Sequence, residues 1–186
     1  MRFRSFIRFA ALLLLATFTI APAPVSADFE SGVAAYDRGE FANAFHRWLP
    51  LAEEGHVGAQ FNIAQIYRLG KGIEPDLDEA LKWYMRAAEG DNPNAYLLLG
   101  HMYETGTGVE VDRIEAYKWY ELAARQRHNK ANDLRNALAK ELSIFEVNDA
   151  LLRIRAYEKA RLERRQTAPA KRYDKDIEAP DEERSN

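Results

Sequence analysis

Of the side chains that could hold a metal or move a proton, the histidines come first: His46, His56, His101 and His128. None has a second histidine at the H-x3-H spacing that puts two imidazoles on one helix face, and His101 with Glu104 is the closest approach to a ligand pair. Two polar residues one turn apart make a solvated helix face far more often than a metal site. The absence of cysteine excludes thiolate zinc sites, a cysteine nucleophile, a lipidated N-terminal cysteine and a disulfide scaffold. There is no G-x-S-x-G elbow, and Gly70-Lys71-Gly72 follows a helical pattern rather than a strand, so it is not a phosphate cradle. Glu53 and Glu54 sit at a helix end as solvated charge. Arg161, Arg164 and Arg165 form a small basic cluster that reads as a solvated face, because acidic residues follow it. No catalytic residue, cofactor or metal ion is indicated, so the elements of this chain have a surface to position rather than a reaction centre.

Length and charge narrow the class. A chain of 186 residues, 47% hydrophobic and 30% charged, suits one domain with a modest core. Its formal charge of −3 carries no footprint for nucleic acid. Residues 1–27 read as an export signal: Arg2, Arg4 and Arg8 form a basic n-region, Phe9 to Ile20 is the apolar run, and Ala21 to Ala27 supplies small residues for cleavage before Asp28. Loss of those arginines makes the remainder three charges more negative. The run is too short for an uncleaved anchor, and no later stretch reaches spanning length. The signal is bacterial in style, which makes the periplasm the expected compartment, with membrane contact only through the signal peptide before cleavage.

Internal repetition is the most informative pattern. Ala59-Gln-Phe-Asn-Ile-Ala-Gln-Ile-Tyr67 lies 36 residues before Ala95-Tyr-Leu-Leu-Leu-Gly-His-Met-Tyr103. At the same offset Gly70 and Gly72 fall on Gly106 and Gly108, Asp76 on Asp112, and Lys82-Trp83-Tyr84 on Lys118-Trp119-Tyr120. An earlier, partial copy places Trp48, Ala52 and Gly55 at a spacing of 35 from Trp83, Ala87 and Gly90. Ala59, Ile63, Ile66 and Tyr67 recur with helical period, as do Ala80, Trp83, Tyr84 and Ala87. Gly70, Gly72 and Pro75 break the chain between these helices, and Asp76 with Glu79 is placed as a capping box, a device repeated at Asp112 and Glu115. Ala87, Ala88, Ala123 and Ala124 let neighbouring helices approach, and Trp83 and Trp119 fill the grooves between hairpins. No hairpin buries its aromatic face alone, so the units must stack.

The pattern Ala95-x3-Leu99-Gly100-x2-Tyr103-x2-Gly106-x-Gly108-Val109, then Asp112-x3-Ala116-x2-Trp119-Tyr120-x2-Ala123-Ala124, resembles the Sel1-like repeat family, relatives of the tetratricopeptide repeats. Ala59 to Gly90 matches nearly as well, with Ala64 in place of the usual glycine. Phe29 to Gly55 is similar to the degenerate first unit of such proteins, with Tyr36 and Gly39 ending its first helix. The resemblance implies an all-α, right-handed solenoid of helical hairpins. The cysteine pairs of the disulfide-rich branch are absent, so functions of that branch, such as penicillin binding, are not expected.

The expected organisation is a repeat array over 28–127, C-terminal capping helices over 128–165 and a disordered, charged tail over 166–186. Ala131 to Leu142 keeps apolar residues at helical spacing, and Ser143-x-x-Glu146 is a capping box that opens a further helix to about Leu162.

A solenoid presents the first helices of its pairs on a concave surface, and the resemblance implies that this surface receives an extended segment of another protein. The expected function is therefore a periplasmic adaptor, scaffold or regulator acting on a cell-envelope partner. The alternatives are a cell-wall hydrolase, for which no nucleophile and base are found, and a peptidoglycan or glycan binder using exposed aromatics. With Ile63, Ala64 and Tyr67 facing inward, Phe61, Gln65 and Arg68 are offset toward the concave side, and the repeat carries these positions to Leu97, His101 and Glu104. Phe61 and Leu97 would give an apolar floor, and Arg68 and His101 charge or hydrogen bonds. Arg68 and Leu97 are expected to be replaceable without cost to the fold.

Overall fold

A computed structural model describes residues 25–167. The expected signal peptide lies outside them except for its last residues, which fall in the first helix. The expected tail lies outside them from Ala168 onward. The described residues form eight helices and no strand: α1 (Val25–Asp37), α2 (Phe41–Glu54), α3 (Val57–Leu69), α4 (Leu77–Glu89), α5 (Pro93–Thr105), α6 (Arg113–Arg125), α7 (Asn129–Ala139) and α8 (Ile144–Thr167). The architecture is an all-α repeat solenoid in which α1–α2, α3–α4 and α5–α6 pair as hairpins and both α7 and α8 pack on α6.

The helix boundaries follow from backbone groups that need partners. Gly70 and Gly106 close α3 and α5 in the left-handed conformation. Asp76 and Asp112 accept the N–H of Glu79 and Glu115. The glutamates do not reach back to complete a capping box. Glu79 takes Lys82 instead, and Glu115 takes Lys118. Ser143 and Glu146 do form the full reciprocal box. Helices α3, α5 and α7 are capped by residues the sequence pattern did not single out: His56, Asn92 and His128, at a spacing of 36, accept the N–H of Ala59, Ala95 and Ala131.

One core cluster runs from α1 to α8, and a second, of Ala116, Tyr117, Tyr120, Leu138 and Ala150, lies among α6, α7 and α8. Ile63, Ala64, Tyr84, Leu99, Trp119 and Ala123 are fully excluded from solvent, as the apolar periodicity requires. Small residues set the spacing where rings cross. A Cβ on Gly100 would lie 2.5 Å from the Tyr120 ring, and one on Gly72 would lie 2.7 Å from the Ala42 backbone nitrogen, so each close approach needs glycine.

The C-terminal helices differ in two ways from the sequence expectation. First, α7 ends at Ala139 rather than Leu142, because the chain turns at Lys140 to place Ser143 as the next cap. Second, α8 runs on to Thr167, past Leu162 and through Gln166. Arg164 and Arg165 are exposed, as a solvated face requires, and reach Glu89 and Asp91 only at the surface, but Arg161 departs from that expectation: it is partly buried and pairs with Asp91. At its other end Arg153 meets Asp112 at 2.6 Å. These contacts fold α8 back along α6 to the start of α5. Partial burial pushes the Asp112 carboxyl up, but the Glu115 N–H and Arg153 outweigh it and hold it below the usual carboxylate range.

Candidate functional site

Between α1 and α3 the stack leaves a groove of about 290 Å³, lined by Val33, Tyr36, Trp48, Phe61, Asn62 and Gln65. Its floor is rigid. The Trp48 indole, 2% exposed, donates to the Phe29 carbonyl at 3.1 Å and lies 5.8 Å from the Tyr36 ring. Phe61 packs 5.9 Å from the Tyr84 ring on the other wall. Apolar walls with a few fixed polar groups are the composition of a recognition site.

The polar groups are held from below. Gln65 Oε1 accepts from the Tyr84 hydroxyl at 2.6 Å and from the Arg68 Nη2 at 2.9 Å, and Arg68 Nε donates to the same hydroxyl at 3.1 Å. Burial pushes the Tyr84 phenol up to about 12, with Arg68 opposing, so the hydroxyl keeps its proton. At the groove's edge Lys71 Nζ donates to the Tyr36 hydroxyl at 2.7 Å and stands over the Tyr36 and Phe41 rings. Lys71 is held there because Gly72 seats its loop on the start of α2. Asn62 makes no side-chain hydrogen bond among the described residues, and neither Arg68 nor Lys71 meets a carboxylate there within ion-pair distance.

Of the six positions expected on the concave side, Phe61 and Gln65 line this groove and Arg68 borders it. Leu97, His101 and Glu104 stand one unit further along and do not line it. Leu97 packs into the core, His101 is exposed, and Glu104 accepts the Tyr120 hydroxyl at 2.7 Å. Arg68 and Leu97 are thus not free of structural duty: one is tied to Tyr84, the other to the packing between units. Replacing them would cost stability, contrary to the expectation from sequence. Val33, Tyr36, Trp48, Asn62 and Lys71 were missed. The helical offset that selected Phe61 and Gln65, applied to α1, gives its groove face, but the irregular spacing of the first unit hides that register.

A second, broader depression lies beside the α6 N-terminus, lined in part by Val111, Asp112, Arg113, Glu146 and Arg153. Its arginines are already paired, Arg153 with Asp112 and Arg113 with Glu141, while Glu146 is taken up by Ser143 and Glu110 forms no ion pair among the described residues. Among the described residues no three of His, Asp and Glu converge where a metal ion could sit, and no helix is long and apolar enough to cross a membrane.

The Sel1 repeat family model matches residues 57–92 and 93–128, which cover α3–α4 and α5–α6. No curated protein matches the chain. Among solved structures, it is similar to a protective antigen of uropathogenic Escherichia coli strains displaying an SLR fold, with 25% identity and a TM-score of 0.68 over 80% of this chain and 34% of that one. It is also similar to a Sel1 repeat protein from Oxalobacter formigenes, with 33% identity and a TM-score of 0.58 over 60% of this chain and 46% of that one. The chain thus spans less than half the length of either. Residues 57–128 are thus two Sel1 repeats, and the hairpin stack that holds them shares its architecture with Sel1 and SLR repeat proteins, which supports the Sel1-like repeat family for this chain.

Proposed function

We propose that this protein is a non-catalytic, exported adaptor that binds an extended segment of a partner protein in the groove between α1 and α3. The observation that carries the reading is the groove itself: an apolar trough along two neighbouring first helices, with Asn62 and Gln65 on one wall. Side-chain amides along such a trough suit the main chain of an unfolded segment, and the aromatic walls suit its side chains. Sel1 repeats serve as scaffolds for protein interaction, in agreement with this reading. Export rests on the signal-like pattern of residues 1–27. The periplasm is then the compartment and an envelope protein the partner class.

Two experiments test it. Asn62→Trp fills the groove from a partly buried position on its wall without breaking a side-chain hydrogen bond. It should leave the thermal midpoint within a degree or two while abolishing crosslinked capture of the partner that the wild-type protein takes from envelope extract. A variant that folds and retains that partner moves the site elsewhere. Mass spectrometry of the secreted form should give an N-terminus at Asp28, and an intact Met1 to Ala27 segment would refute export by cleavage.

A further inference from the structure

The groove has a chemical polarity that its neighbour along the stack lacks. Arg68 and Lys71 stand at its edge, each fixed by a tyrosine hydroxyl. The corresponding positions of the next unit are Glu104 and Thr107. Elsewhere on the array arginines find carboxylates readily: Arg113 with Glu141, Arg125 with Glu121, Arg135 with Glu121, Arg153 with Asp112, Arg161 with Asp91. Arg47, Arg86 and Arg155 also form no ion pair among the described residues, so what sets Arg68 and Lys71 apart is that the two stand three residues apart at the edge of an apolar trough, each on a tyrosine hydroxyl. Both are immobilised beside an apolar trough, which lowers the entropy lost when they gain a partner.

We infer that the segment held in the groove is extended and carries an apolar side chain with an aspartate or glutamate two residues away. In an extended chain residues i and i+2 point to the same side about 6.6 Å apart. That is close to the reach of the Tyr36 side chain, whose ring lines the trough and whose hydroxyl touches Lys71. The apolar residue fills the space between Tyr36 and Phe61 while the carboxylate meets the Lys71 ammonium, with Arg68 extending the cationic edge. This rests on the groove being the docking site and adds the chemistry of what docks.

The test is selection of random twelve-residue peptides on the full chain. The enriched peptides should share an apolar residue and an acidic one two positions apart. Their affinity should fall about tenfold in Lys71→Gln or Arg68→Gln, as expected for a lost charge-assisted contact, and return in Lys71→Arg. Asn62→Trp should abolish binding. If Asn62→Trp leaves binding intact, the groove reading itself fails. If Asn62→Trp abolishes binding but the peptides are neutral or basic, or both charge variants bind like wild type, the groove stands and the acidic partner is wrong. Failure to enrich any peptide overturns the inference. So does a carbodiimide crosslink from Lys71 to the carboxylates beyond Asp174, within one chain or between copies in an isotope-mixed sample, since the occupant would then be this protein.

Discussion

The two ends of the array use one repeat in opposite ways. At the α1–α4 end, Trp48 floors an open groove whose edge carries Arg68 and Lys71. At the α5–α8 end, Trp119 is sealed: Tyr96 stacks on one side, Tyr157 of α8 meets it at 5.0 Å, and Lys118 lies over its ring. Tyr84 and Tyr120 are equivalent, and each hydroxyl meets the residue four places after the small residue at Ala64 or Gly100, Arg68 in one unit and Glu104 in the next. The repeat fixes where the hydrogen bond forms and leaves the sign of the charge free. The first end can therefore face a partner while the second is closed by the chain's own helix.

The largest effect should come from the sealed end. Trp119→Ala should cost about 3 to 5 kcal/mol, read as a shift in denaturant midpoint. Trp48→Ala should cost less, because only the hairpin α1–α2 and the groove rest on it. Equal losses would show that α8 contributes nothing to Trp119. Next, Gly100→Ala forces a Cβ against Tyr120, whose ring is fully buried and held by Glu104, and should destabilise by about 1 to 3 kcal/mol. Ala64 occupies the same place in the first matched repeat without exposure. Ala64→Gly should therefore lose only about 1 kcal/mol of helix propensity, and equal sensitivity at the two positions would erase the contrast in ring packing.

Smaller effects sharpen the contrast at the edges. Asp91→Asn removes the carboxylate that Arg161 and Arg165 share. It should cost about 1 kcal/mol at these partly exposed pairs, with hydrogen-exchange protection falling in the last turns of α8 but not in α3. The smallest concerns pH. His56 caps α3 through Nδ1, burial holds its pKa below the ordinary value, and its own backbone opposes this only in part. A depressed pKa means that stability is complete above the unfolded value near 6.5 and is lost as pH falls through the folded value. His56→Asn, which copies the cap that Asn92 supplies to α5, should flatten that part of the acid limb by no more than the worth of one cap, about 1 kcal/mol. An unchanged acid limb would remove His56 as its cause.

Much of this was legible because repetition states each signal twice. The hairpins, their breakers and the buried alanines follow from residues that recur at 36. What was lost lies where the repeat is irregular. The first unit has a shorter turn, so Val33 and Tyr36 could not be put in register with Phe61 and Gln65, and the groove between them was half seen. Arg161 looked like solvated charge, as its neighbours Arg164 and Arg165 are, because sequence spacing cannot show that α8 returns to Asp91, 70 residues from Arg161. The second capping series was overlooked because histidine and asparagine share a role there through a ring nitrogen in one case and an amide oxygen in the other.

Photo-crosslinking from two single positions tests the central claim most directly. A benzophenone side chain at Asn62 in the groove and another at Arg155 on the exposed face of α8 should behave differently with the partner present. Adducts are expected from position 62, suppressed by an acidic competitor peptide, and none from position 155. Adducts from 155 with none from 62 would place the partner on the helix that seals the array and contradict the groove as the working surface of this protein.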